Sequence, residues 1–241
     1  MAWLSILAPV TLAGVMIFVP RIPQPQWYHD FADQRALIRG VPNSFDVLSN
    51  LPFIGIGVAG LVITPGAAFI SSFERTDAIV FFIGTILTAI GSLIYHLRPN
   101  DTTLVYDRLG IVIAFMSFLA MLAHESIDGA AWLLPALLLI GVAGVAWWRA
   151  FDDLRPYGWA QFFPLVVIVA LLFAERPRYS GQTAAMIVIA GSYTAAKLFE
   201  LWDRRIYHAL RQTISGHTLK HLSAACGVLT TVIWIAARTR R

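Results

Sequence analysis

Charge is what this chain of 241 residues has least of. Asp, Glu, Lys and Arg together make up 13% of it, about half the share of a soluble domain. So little charge cannot coat a water-facing surface, which argues against a soluble globular protein. There is one cysteine, Cys226, which excludes an internal disulfide; in an apolar segment it reads as a small buried residue. The formal net charge is +4, yet no basic stripe with interleaved aromatics occurs, which leaves no nucleic-acid partner. The basic residues stand instead at the ends of apolar segments, where lipid headgroups would meet them. Internal repeats and low-complexity tracts are missing too. The first apolar segment lacks a basic lead and an Ala-x-Ala exit, so it is expected to be a retained helix.

What is abundant is hydrocarbon: 58% of residues are hydrophobic. A bilayer core takes about 20 apolar residues per helix, and eight stretches approach that length. They are residues 2–19, 45–63, 77–97, 105–123, 130–148, 159–174, 184–201 and 217–237. The expectation is an all-α, multi-pass membrane protein. Its parts would be a leading N-terminal transmembrane helix at 1–20, a loop at 21–43, and seven further spans at 44–241, forming one domain. Connections are short and rich in helix-stopping residues, such as Thr64-Pro65-Gly66, Arg98-Pro99-Asn100-Asp101, Arg155-Pro156-Tyr157-Gly158 and Arg176-Pro177. Only the loop before Ser44 is long, and long loops in compact proteins tend to be functional. Most of the 18 Lys and Arg fall on the side of that loop, so the positive-inside rule places it in the cytoplasm.

Polar groups at the edge of hydrocarbon are costly to keep and usually mark function. His96 closes one apolar segment, four residues after Ser92 and eleven before Asp107. His217 and His221 open the last. Positions i and i+4 share a helix face about 6 Å apart along the axis, so both can address one ion. Counting crossings puts all three histidines on the face of the long loop. Zinc held by three histidines and water is an open, catalytic arrangement; a structural site closes with a fourth protein ligand. A zinc ion so held yields hydroxide at neutral pH. Asp107 is the candidate carboxylate to hold and deprotonate the water, and Ser92 the candidate hydroxyl to steady an oxyanion. His29, His124 and His208 read as interfacial residues. Haem ligation fits poorly, because two histidines on one turn cannot be opposite axial ligands. Lys220 stands too near a helix end for a retinal Schiff base and suits a headgroup.

The pattern Ser92-x3-His96, Asp107 and His217-x3-His221 resembles the alkaline ceramidases. It also resembles their wider superfamily, which includes the adiponectin and progestin receptors. The resemblance runs roughly over residues 30–234 and takes in Ser49-Asn50 and Asp203. It implies seven helices, a zinc ion on His96, His217 and His221, Asp107 activating water, and Ser92 at the oxyanion. The family's calcium segment, Asp-Trp-x-Glu-x-Asn, is matched by Asp30, Phe31 and Asp33, with Asn43 near its later acidic position. Arg35 stands where an asparagine is expected. The loop therefore carries two expectations: a calcium site, or a brace in which Arg35 pairs with Asp30 or Asp33.

The functional expectation is a zinc-dependent amidohydrolase that takes ceramide or a similar N-acyl lipid from the surrounding membrane lipids and releases fatty acid and an amino-lipid. The alternative is a non-enzymatic, receptor-like lipid-binding protein with a structural zinc. A transporter would need ionisable residues at mid-membrane, and these segments have few.

Overall fold

The computed structural model describes residues 4–125, 130–174 and 177–240. Ala2 of the first expected span, Arg176 of the Arg176-Pro177 turn and Arg241 lie outside them. Ten α-helices follow in order among the described residues: α1 (Leu4–Phe18), α2 (Ser44–Leu48), α3 (Leu51–Ile63), α4 (Ser72–Leu97), α5 (Asp101–His124), α6 (Leu133–Phe151), α7 (Arg155–Ala174), α8 (Gln182–Leu201), α9 (Asp203–Ala209) and α10 (Gly216–Ala237). No strand occurs among these residues, only two isolated β-bridges.

Six stretches are long and apolar enough to cross a bilayer: Ser44–Gly66, Ser72–Leu97, Asp101–His124, Leu133–Phe151, Gln182–Leu201 and Gly216–Ala237. That is the composition of a multi-pass membrane protein. α1 is a shorter apolar helix, and α7 a further helix of 20 residues interrupted by Pro164.

The boundaries depart from the hydropathy reading where polar residues start helices. α4 begins five residues before Asp77 because the Ser71 hydroxyl accepts the Glu74 amide. α5 begins at Asp101 because the Asn100 side chain accepts the amides of Thr102 and Thr103. Such caps satisfy amides that the first helical turn leaves without partners. Arg155-Pro156 opens α7 instead of stopping a helix, since proline in the first turn gives up no hydrogen bond. The 45–63 segment is divided at Ser49-Asn50 into α2 and α3.

Within the bundle, α4 and α5 run side by side in close contact. At Gly91 a Cβ would stand 2.3 Å from the carbonyl oxygen of Tyr106 and 2.7 Å from the amide of Asp107. Small residues allow such backbone contact where no hydrophobic force drives helices together. One side of the bundle core gathers Leu104, Met116, Val145 and Ala160, the other Phe82, Met121, Met186 and Ile235. Cys226, expected inside, lies on the exposed face of α10; hydropathy cannot separate a lipid-facing position from a core one.

The end of the bundle away from the long loop is tied by buried ion pairs. Glu74 meets Arg238 at 2.8 Å, and Asp77 meets His124 at 2.5 Å. Arg238 packs over Tyr179, whose hydroxyl donates to Glu74 at 2.6 Å. His124 is therefore a core residue with a carboxylate partner, not an interfacial one. Glu125, just past α5, bonds Gln182; burial, then the nearby Glu74 carboxylate, pushes its carboxyl up to about 8.

Gly91→Ala should lower the thermal unfolding temperature of the detergent-purified protein, an overpacking loss of about 1–3 kcal/mol. Gly14→Ala, where nothing lies within 4 Å, should be neutral or stabilising. Equal behaviour of the two variants would contradict the close α4–α5 contact.

Candidate metal centre

Two helix ends meet at the loop side of the bundle. α4 carries Ser92 and, one turn later, His96. α10 carries His217 and His221 in its opening turns. The start of α10 is set by local chemistry. The Ser215 hydroxyl accepts the Thr218 amide at 3.0 Å, and the Asp203 carboxylate accepts the His217 amide at 2.8 Å. At Gly216 a Cβ would stand 2.3 Å from the Phe199 carbonyl oxygen, so only glycine lets α10 begin against the end of α8. From α2, Asp46 accepts the Thr218 hydroxyl at 2.6 Å.

The three imidazoles form a nearly equilateral triangle. Ring centroids are 4.9 Å apart for His96–His217, 5.0 Å for His96–His221 and 4.9 Å for His217–His221. Their ligand atoms all lie within 4.8 Å of one another, and all three side chains are buried. This buried group can hold a metal ion. The ring nitrogens say so independently: His96 Nδ1 and His217 Nε2 are buried without a hydrogen-bond partner among the described residues. Each such atom costs about 1–3 kcal/mol, and an ion between them would satisfy both. His221 Nδ1 meets the Ser49 hydroxyl at 2.7 Å, which leaves Nε2 as its ligand atom. A partner on the second nitrogen fixes ring orientation and tautomer, as ligating histidines generally require.

Ser92 and Asp107 come from α4 and α5, where the two helices touch at Gly91 and Asp107. Both line a cavity of about 180 Å³ that also takes in His221 and descends along apolar side chains such as Phe118 and Ile168. The structure thus brings all five expected site residues to one end of the bundle.

The loop residues named for calcium are engaged elsewhere. Asp33 is gripped by Arg35 through Nε at 2.8 Å and Nη2 at 2.7 Å, and Arg35 also donates to the Thr213 carbonyl at 2.8 Å. Burial pushes the Asp33 carboxyl up, but the Arg35 hydrogen bonds outweigh that and hold it below the usual carboxylate value. Asp30 pairs with Arg204 at 2.5 Å and accepts from Gln34 at 2.6 Å. The Phe31 carbonyl also accepts from Gln34, at 3.2 Å. Asn43 donates to the main-chain carbonyl of His96 at 2.8 Å. Of the two expectations for this loop, the Arg35 brace is the one the contacts display.

What these residues do was not legible beforehand. The Phe31 ring lies 4.7 Å from both His96 and His217 and roofs the triangle. Asp203 clamps the roof by accepting the Ala32 amide at 3.0 Å. Sequence reasoning also passed over Tyr28, Lys197 and Glu200 in the cavity wall. The one available signal was Lys197 three residues before Glu200 near a helix end.

Comparison of the chain with models of known families and with curated proteins returned no match.

Purified protein should carry about one transition-metal ion per chain, as a three-histidine site implies. Elemental analysis of His96→Ala and His217→Ala should find almost none. Ser49→Ala should retain metal with affinity weakened about 10–100-fold. Full metal content in either histidine variant would contradict the assignment.

Proposed function

We propose that this protein is a membrane-embedded, zinc-dependent hydrolase that cleaves the amide bond of ceramide or a similar N-acyl lipid. The observation that carries this reading is the buried triangle of His96, His217 and His221 at the head of an apolar cavity that also holds a carboxylate and a hydroxyl. The resemblance to the alkaline ceramidases supports the same reading, with the seven-helix core and the leading helix α1 as part of the proposal. The positive-inside placement of the loop side in the cytoplasm belongs to the same proposal.

Three imidazoles with no fourth ligand grouped beside them among the described residues suit zinc in its open form. When bound there, zinc supplies Lewis-acid polarisation of a carbonyl and a water nucleophile at neutral pH. This chain's own residues do the rest. The apolar cavity receives the acyl chain from between the helices and keeps bulk water from the amide. Asp107, on the wall of the same cavity as His221, takes the proton of the attacking water and returns it to the leaving nitrogen, as a general base and then acid. Ser92 donates to the carbonyl oxygen as it gains charge; removing one such donor typically costs about 10²–10³ in rate. The balance is simple: the water oxygen joins the acyl carbon, the C–N bond breaks, and the products are a fatty acid and an amine. Ser49 and Phe31 position the histidines and do not touch the amide.

A structural-zinc receptor would share every ligand, but it has no use for a carboxylate and a serine on the cavity beside His221. Incubation with a panel of N-acyl lipids, read by mass spectrometry of the freed acid, separates the two. Asp107→Asn should retain metal and lose turnover by about 10²–10⁴-fold, the usual contribution of general acid–base catalysis. Ser92→Ala should lose about 10²–10³-fold. Full activity of Asp107→Asn, or wild-type protein that carries metal and releases no acid from any member of the panel, would contradict the proposal.

A further inference from the structure

Lys197 and Lys220 are two cations on the wall of an otherwise apolar cavity, where charges are kept only for a purpose. They come from different helices, the last turns of α8 and the first turns of α10. Both are bound to one carboxylate: Lys197 Nζ meets Glu200 Oε2 at 2.8 Å, and Lys220 Nζ meets Glu200 Oε1 at 2.9 Å. The Tyr28 hydroxyl donates to the same Oε1 at 3.1 Å. Three donors therefore occupy the acceptors of Glu200. Each ammonium, with three donors of its own, has some left over. One further donor stands beside them. The Tyr193 hydroxyl, one turn before Lys197 on the same helix face, is buried with no hydrogen-bond partner among the described residues, and Tyr193 lines the cavity. Lys197 Nζ lies 5.8 Å from the Tyr193 ring centroid.

Two features of this wall select a ligand. The cluster of Lys197, Lys220 and Glu200 presents ammonium groups with donors to spare and one carboxylate that already takes three. It therefore matches an anionic acceptor better than a hydroxyl headgroup, which must also donate. The same cluster holds two positive charges against one negative. The other carboxylate lining the cavity, Asp107, stands at the end where a divalent ion held by the three imidazoles would offset its charge. Ammonium groups bound to the two oxygens of one carboxylate stand close enough for a second carboxylate to bridge them. Lys220 is also the residue next to His221, and both line the cavity together with Asp107, so an anion held here is near the reacting centre.

We propose that Lys197, Lys220 and Tyr193 form an anion subsite that receives a carboxylate on the amine half of the substrate, which makes the preferred amide an N-acyl amino acid. This rests on the hydrolase reading and narrows it. The test compares N-palmitoylglycine with neutral N-palmitoylethanolamine in mixed micelles, using the full-length protein. The ratio of their kcat/KM values should favour the acid by at least about tenfold, the effect of one charge-assisted hydrogen bond. Lys197→Met and Tyr193→Phe should collapse that ratio, chiefly through the KM of the acid. Lys197→Arg, which keeps the charge, should preserve it and shows that the position tolerates change. A ratio near one, or a ratio untouched by Lys197→Met, overturns the subsite and leaves the hydrolase standing. If free palmitate competes as strongly as N-palmitoylglycine and Lys197→Met relieves it equally, the wall holds the released acid, and the headgroup assignment falls. If neither amide is cleaved, the hydrolase reading fails and the subsite is judged by binding. Greater thermal stabilisation by N-palmitoylglycine than by N-palmitoylethanolamine, lost in Lys197→Met, supports it, and equal stabilisation overturns it.

Discussion

Three imidazoles buried within 4.8 Å of one another are an unfavourable grouping unless something sits between them. Removing polar nitrogens from water and giving them no partner costs free energy that a hydrogen bond or an ion must return. The loop-side half of the bundle is organised around that demand. α4 must end, and α10 must begin, at the same depth. Gly216 lets α10 start against α8, Asp203 and Ser215 cap it, Asn43 and Ser49 hold the backbone of His96 and the ring of His221, and Phe31 closes the top.

The two ends of the bundle handle buried polarity differently. Away from the loop, Glu74 has Arg238 and Asp77 has His124, opposite charges in direct contact. Such pairs lock α4, α5 and α10 together, and removing one partner would strand a buried charge. At the loop side the histidines have no such partners, and the cavity opens beside them. The unpartnered histidine nitrogens differ in kind, because they converge within ligand distance of a single ion.

Helical, membrane-spanning character could be read from hydropathy because apolar length is a one-dimensional property. The number of spans could not, since six of the eight expected are long and apolar enough among the described residues. The histidine trio and Ser92 and Asp107 could be read because i, i+4 spacing fixes a helix face and counting crossings fixes a side. What could not be read depends on contacts distant in sequence. Asp203 clamping Ala32, Arg35 holding Asp33 instead of yielding it to calcium, and Lys197 and Lys220 sharing Glu200 all join segments that no local pattern connects. Cys226 and His124 show the complementary failure: periodicity says that a position is apolar or terminal, not whether lipid or protein covers it.

The central claim is that these histidines hold zinc with a coordination position left open. X-ray absorption spectroscopy at the zinc edge of the purified protein addresses it directly. The account predicts about three imidazole nitrogens at 2.0–2.1 Å with an additional oxygen ligand and no sulfur. A closed shell of four protein ligands, a sulfur at about 2.3 Å, or protein that takes up no zinc at all would contradict it.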